Sequence, residues 1–162
     1  MTTPDPKPDQ KPDPKIEEVS ETVRGKFRTS DSSREEQWKP IIVGIAGEGT
    51  GVYSTTNQSG FVYRQNQLVD CFFDVVWTAH TGTGSLALQL PYKVAKASNL
   101  PFVGVVQSST LAFSGYLVLS AQPNDDKAIL MQCTSGGATT AIAIAAAGRL
   151  QGSIRYVGQL YT

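Results

Sequence analysis

The sequence has few of the residues that enzymes and metal-binding domains depend on. Its 162 residues include one His and two Cys. Cys71 and Cys133 are too few and too far apart for a disulfide framework or a four-ligand zinc site. We therefore expect no catalytic residue, no cofactor and no metal site.

Net charge and long apolar runs are also absent. Fourteen Lys and Arg balance fourteen Asp and Glu, which gives no broad basic footprint for nucleic acid or anionic membrane. No apolar run approaches the ~18–20 residues of a membrane span. The opening MTTPDPKPDQ lacks the basic-then-apolar layout of a signal peptide, so we expect no Sec export signal. These features predict no nucleic-acid binding and no membrane insertion.

A change in composition near Trp38 divides the chain into a tail and a body. Residues 1–37 contain 5 of the 9 Pro, 16 charged residues and one aromatic residue, Phe27. Residues 38–162 contain 14 of the 15 Gly, every other aromatic residue and only 12 charges. The first part cannot bury enough apolar surface to order itself. The second is long enough for a core of its own.

The tail begins with a repeat. Residues 4–15 read PDPK, PDQK, PDPK, and proline at this density favours polyproline II. Such a stretch would span roughly 37 Å as a semi-rigid spacer. We interpret it as a solvated linker.

A short amphipathic segment follows the repeat. Ile16, Val19 and Val23 fall at helical spacing, and Gly25 would end a helix over residues 16–24. Two turns are not stable alone, because helix nucleation is costly. The three apolar residues are candidates for anchoring the chain to a partner. A helix at an oligomer axis and a nascent helix in a loose tail remain open as alternatives.

The body has the two-residue period of β-strands. In the predicted strand 67–77, one face is entirely apolar and the other is mixed. The apolar face holds Val69, Cys71, Phe73, Val75 and Trp77, and the mixed face holds Leu68, Asp70, Phe72, Asp74 and Val76. Turn-forming clusters separate nine or ten such strands, which predicts an all-β fold, an antiparallel β-sandwich or jelly roll. The segment 141–147, AIAIAAA, is also predicted as strand.

The mixed face and the shortage of charge bear on assembly. Leu68, Phe72 and Val76 accompany two aspartates on that face, and subunit interfaces combine low charge with exposed aromatics. Edge strands also need to be paired, covered or charged. The sequence therefore favours homo-oligomerisation, with a well-buried monomer as the alternative.

Several motifs resemble catalytic or ligand-binding signatures only superficially. AGEGTG at 46–51 lacks the GK[ST] of a phosphate loop, so we interpret it as a hairpin turn. His80 has no evident acid or nucleophile partner and is predicted to be a loop residue. Asn124, Asp125 and Asp126 form no EF-hand pattern and predict a turn. Both cysteines alternate with apolar residues, so we expect buried thiols.

Tyrosines are the candidates for surface binding. Tyr53, Tyr63, Tyr92 and Tyr116 each offer stacking area and a polar tip suited to carbohydrate or protein. Half-buried strand positions explain the same residues equally well.

One stretch of the body resembles a module of bacteriophage fibres. Its motifs are Thr55-Thr56, the aromatic strand SGFVY at 59–63, the alternating strand 67–77, the turn from Trp77 to Gly84, and Leu90-Pro91-Tyr92. Trp38-Lys39-Pro40 resembles the opening of such modules, and GSIRY at 152–156 resembles their last strand. The resemblance covers roughly residues 38–162 and is strongest over 52–92.

The resemblance implies a trimeric β-sandwich knob exposed on a virion. Residues 1–37 would then attach the knob to other virion proteins, and the knob would contact a host-surface glycan or protein. The alternative that the resemblance allows is a capsid decoration or head-fibre protein that stabilises or decorates the shell. A glycan hydrolase is a remote third possibility, because it needs paired carboxylates at ~5–10 Å and the body has only five acids. We therefore expect a protein that is not an enzyme.

Overall fold

A computed structural model describes residues 33–96 and 101–159, which form ten antiparallel strands. The strands are β1 Ser33–Trp38, β2 Ile41–Gly44, β3 Gly51–Gln65, β4 Leu68–His80, β5 Leu86–Gln89, β6 Phe102–Gln107, β7 Tyr116–Ala121, β8 Lys127–Cys133, β9 Thr139–Ala141 and β10 Gly148–Val157. The predictions for residues 4–15 and 16–24, including the anchoring candidates Ile16, Val19 and Val23, lie outside the described residues.

The body begins earlier than the change in composition suggests. Its compact unit runs from Ser32 to Thr162, and β1 pairs with β3 from Ser33 opposite Gln65 to Trp38 opposite Gly60. Residues 33–37, assigned to the tail from composition, are therefore part of a strand. Their polar sequence SREEQ fits an edge strand, because most of it faces solvent.

The strands form one curled sheet whose inner face holds the core. Their order is β1-β3-β4-β10-β6-β7-β8-β5-β2, and β9 adds to β8. The all-β, antiparallel character predicted from the sequence is confirmed. The segment 141–147 is strand only where Ala141 ends β9 and Ala143 forms an isolated bridge to Ser85.

The central strands show the predicted alternation. All five residues of the apolar face of β4 are at least 94 % buried. Opposite them in register, β10 contributes Leu150, Ile154 and Tyr156, each at most 2 % exposed. The indole of Trp77 donates a hydrogen bond to the carbonyl of Ala145 (2.9 Å). The inner face of β4 and β10 therefore forms a dry core with its polar groups paired.

The loop over residues 45–50 is not a hairpin turn, contrary to the sequence interpretation. The strand before it, β2, pairs with β5, whereas the strand after it, β3, pairs with β1 and β4. The loop instead packs on residues 81–83, where Thr83 N donates to Gly47 O (2.9 Å). At Gly49, with φ +68°, a Cβ would lie 2.1 Å from the backbone nitrogen of Gly82. The glycines are needed there because two backbones meet.

Within residues 33–96 and 101–159, no helix has the length and apolarity needed to cross a membrane.

Candidate interaction surface

The outer face of the central strands carries an exposed apolar surface, which we call the outer strip: Phe61, Tyr63, Phe72, Val103 and Val105. Register brings these residues from β3, β4 and β6 onto one face. Phe61 lies opposite Phe72, Phe72 opposite Ser153 of β10, and Ser153 opposite Val105. Directly opposed residues in a sheet share a face, so the row is continuous across four strands.

The side chains of the outer strip are largely in solvent. Phe72 is 53 % exposed, Val103 61 % and Val105 76 %, and the two aromatics on β3 are each 47 % exposed. The core does not need these residues, because β4 already places Cys71 and Phe73 on its buried side. The mixed face of β4 predicted from sequence is thus the exposed face.

Two ion pairs border the outer strip. Arg155 forms a two-point contact with Asp70, in which Nη2 lies 2.9 Å from Oδ2. Arg149 does the same with Asp74 (Nε–Oδ1 3.0 Å, Nη2–Oδ2 2.8 Å), and Gln151 donates to the same carboxylate. The hydrogen bond to each aspartate raises the pKa of its arginine above the ordinary value. The charges beside the strip on β4 and β10 are therefore paired within the chain, while Glu35 lies exposed opposite Tyr63 on β1.

The surface between β4 and β6 is slightly concave. A shallow depression of about 330 Å³ is lined by Phe72, Val103, Val105, Ser153 and Arg155, among others. The hollow is open to solvent, whereas ligand pockets enclose most of their ligand.

The four tyrosines predicted as binding candidates do not form one site. Tyr53 is half-buried, and its hydroxyl donates to Ile42 O (3.0 Å) and accepts from Ile42 N (2.9 Å). Tyr92 is buried, and its hydroxyl donates to Glu36 (2.8 Å). Both side chains have contacts that hold the body together.

The other two tyrosines are exposed but far apart in the sheet. Tyr63 lies in the outer strip on β3, and Tyr116 begins β7 with 63 % of its surface exposed. Three strands, β4, β10 and β6, separate them. Any binding by these two residues would therefore involve two separate contacts.

His80 has a structural environment at the end of β4. Its Nδ1 accepts a hydrogen bond from Gly82 N (2.9 Å), and its Nε2 lies 2.8 Å from the carbonyl of Ile42. A carbonyl can only accept, so the ring carries its proton on Nε2. Both nitrogens are used to hold the loop after β4 against β2. The prediction of a loop residue is wrong, because His80 is the last residue of β4 and pairs with Gly51 of β3.

The acids of the body are held in ion pairs or turns. Glu48 accepts from Lys127 Nζ (2.7 Å), while Asp125 Oδ1 accepts from the backbone nitrogens of Asp126 and Lys127. Asn124 has φ +63°, as the predicted turn requires. Among residues 33–96 and 101–159, no three His, Cys, Asp or Glu side chains are grouped to hold a metal.

Both cysteines are buried free thiols, as predicted. Cys71 is fully buried beside the hydroxyl of Tyr156, which donates in turn to Tyr92 O (3.0 Å). Burial raises the pKa of the Cys71 thiol to about 12 and raises that of Tyr156 as well. Neither group is poised to react.

Sequence reasoning named Phe72 of β4 and Tyr63 of β3 separately, and it missed Phe61, Val103 and Val105. Val103 and Val105 alternate with Gly104 and Val106 in PFVGVVQ, which places valines on both faces of β6. That pattern was the available signal, because a strand with one wet face usually alternates apolar with polar residues.

In comparisons with known proteins, no family model matches the chain, and no curated protein or solved structure matches it either.

Proposed function

We propose that the chain is a bacteriophage virion protein whose β body is a trimeric, fibre-type knob. In this proposal the N-terminal segment attaches the knob to other virion proteins, and the knob attaches the particle to a glycan or protein of the host surface. The observation that carries the proposal is the outer strip, which gathers on one face five of the eleven large apolar side chains exposed in the described residues; such a patch is typical of a subunit interface.

The sequence resemblance supports the same proposal. Its motifs occupy β3, β4, the loop after β4 and the segment after β5, which together contribute much of the core. We propose further that the curled sheet is a β-sandwich. The half β3-β4-β10-β6 would face the half β7-β8-β5-β2 across the core, and the hydroxyl of Tyr53 links β3 to β2 where the halves meet.

The side chains of the body favour a role in attachment over a role in catalysis. Asp70 and Asp74 are both held by arginines, which leaves them poorly placed to exchange protons with a substrate. A knob needs only weak sites, because three sites on one trimer can exceed the affinity of one site by orders of magnitude. Tyr116 is the tyrosine we assign to such a contact, since its ring is more exposed than that of Tyr63 (63 % against 47 %).

The test uses the phage that encodes the chain. Removing residues 1–31, which leaves β1 intact, should give particles that lack the protein while a folded oligomer accumulates free. Purified full-length protein should bind host cells and compete with particle adsorption. Particles that retain the truncated protein would contradict anchoring by the tail, and failure to bind cells would contradict attachment.

A capsid decoration or head-fibre protein is the second candidate. The separation of Tyr63 and Tyr116 by three strands favours it, because no concentrated binding site is built on the described surface. Binding to shells without any binding to cells would support decoration over attachment.

A further inference from the structure

We infer that the outer strip is the surface through which copies of this chain associate. The strip would face the three-fold axis of the trimer, where Phe61, Tyr63, Phe72, Val103 and Val105 meet the same residues of both neighbours. This inference deepens the proposed function, on whose oligomeric knob it rests, by assigning its interface. The occupant is a second copy of the chain rather than a different protein.

The first argument is area. Three half-exposed aromatic side chains of about 200 Å² each leave about 300 Å² in solvent, and the two valines bring the strip to about 500 Å². A standard interface buries about 800 Å² per partner, of which about 60 % is apolar. The strip therefore supplies the apolar core that one side of a stable interface needs.

The second argument is charge. A face that carries charges of one sign cannot meet itself without repulsion. Here Asp70 is bound to Arg155 and Asp74 to Arg149, so the border on β4 and β10 is neutral pair by pair, and Glu35, opposite Tyr63 on the edge strand β1, adds a single exposed negative charge. Such a border allows the same face of another copy to approach, and two-point arginine–carboxylate contacts hold the side chains in place.

The third argument is shape. The strip lies across four adjacent strands, β3, β4, β10 and β6. A surface of this breadth fits the same faces of neighbouring copies better than a peptide or a sugar.

One consequence concerns the tyrosines. Assembly through the strip would cover Tyr63. Tyr116 begins β7, the strand next to β6, one position beyond the pair Val106–Leu117, so it lies on the same face as Val105 at the border of the strip. Its ring, 63 % exposed, stays available for attachment if the interface ends at β6.

The test compares matched valine substitutions in the full chain. Val105→Lys places a charge in the strip. Val52→Lys is the control: Val52 is also well exposed (59 %), but it lies near the start of β3, opposite Ala79 at the end of β4 and away from the strip. Phe72→Lys provides a second change inside the strip. Light scattering at micromolar concentrations gives the mass of each, and circular dichroism checks folding.

We expect Val105→Lys and Phe72→Lys to fall from the oligomer to one chain while remaining folded, and Val52→Lys to keep the mass of the unaltered protein. Oligomers in all three variants would overturn the inference and leave the oligomeric knob standing. Loss of the oligomer in Val52→Lys as well would overturn the assignment to the strip. A monomer for the unaltered chain would overturn both the inference and the trimeric knob.

A second measurement covers the case in which a strip variant does not fold. Ser153 lies in the centre of the strip, between Phe72 and Val105 in register. Ser153→Cys on β10 should form intermolecular disulfides under mild oxidation, whereas Thr55→Cys, at an exposed residue of β3 six residues before Phe61, should not. Equal cross-linking of the two variants would overturn the inference.

Discussion

The hydroxyl of Tyr53 makes hydrogen bonds to both backbone groups of Ile42, accepting from its nitrogen at 2.9 Å and donating to its carbonyl at 3.0 Å. Ile42 lies in β2 at one end of the strand order, and Tyr53 lies in β3, next to the other end. A side chain thus makes the contacts that a neighbouring strand would make. His80 bonds the same carbonyl from the end of β4.

Removing the Tyr53 hydroxyl should weaken the body. Tyr53→Phe leaves Ile42 N without this partner in a half-buried place, so we expect a loss of about 1–3 kcal/mol in the free energy of unfolding. Urea denaturation followed by Trp fluorescence measures it. Tyr116→Phe is the control at an exposed ring and should change stability by less than about 0.5 kcal/mol. Equal stability of the two variants would contradict the role of Tyr53.

Gly49 should tolerate no side chain. Gly49→Ala would put its Cβ 2.1 Å from Gly82 N, at φ +68°, so the two loops must separate. Gly137→Ala is the matched control, because it has φ +90° with nothing within 4 Å. We expect about 1–2 kcal/mol of destabilisation at Gly137, from backbone strain alone, and clearly more at Gly49. Similar losses for both would show that the loops do not pack closely.

The Cys71 thiol should make stability depend on alkaline pH. Its folded pKa of about 12 lies above the ordinary value of 9.0, so its contribution is fully present below pH 9. The contribution is lost as pH rises from 9 towards 12, because only the unfolded thiol ionises there. Cys71→Ala should show a shallower fall in stability between pH 9 and 10 than the unaltered chain, before tyrosines add their own effect.

The same burial predicts that both thiols react slowly with thiol-labelling reagents while the protein is folded. An aromatic disulfide reagent should label no Cys in the folded protein at pH 8 and both after unfolding in urea, because Cys71 and Cys133 are buried. In the Cys133→Ala variant, Cys71 is the one thiol left, so any labelling of that variant measures the reactivity of Cys71. Reaction of the folded variant at the rate of an exposed thiol would contradict the packing around Tyr156.

Attachment should depend on Tyr116 without depending on stability. Tyr116→Ala removes an exposed ring on β7, and we expect at least about tenfold weaker binding to host cells, because each of several sites loses its stacking contact. Thermal unfolding should stay unchanged. Tyr63→Ala is the comparison: we expect it to act on the mass of the oligomer, since Tyr63 lies in the outer strip.

The sequence was sufficient to predict the central strands. Alternation along β4 identified which of its side chains are buried, including Cys71 and Trp77, because the strand is long and one of its faces is continuously apolar. Local periodicity is informative where a strand contributes many residues to one core.

The sequence could not predict how the strands pair. The strand β2 has four residues, and its place beside β5 depends on long-range contacts such as those of Tyr53 and His80. The sequence-based prediction of the outer strip was incomplete for the same reason. Phe72 of β4 and Val105 of β6 lie in one row only because both strands pair with β10. The polar β1 resembled the tail because an exposed edge strand needs little apolar sequence.

The most direct test of the account is the solution mass of the full-length chain, measured by light scattering over a range of concentrations. The account predicts a mass three times that of the 17.4 kDa chain, constant down to low micromolar concentration. A mass of one chain throughout that range would contradict the trimeric knob and leave the outer strip without its partner.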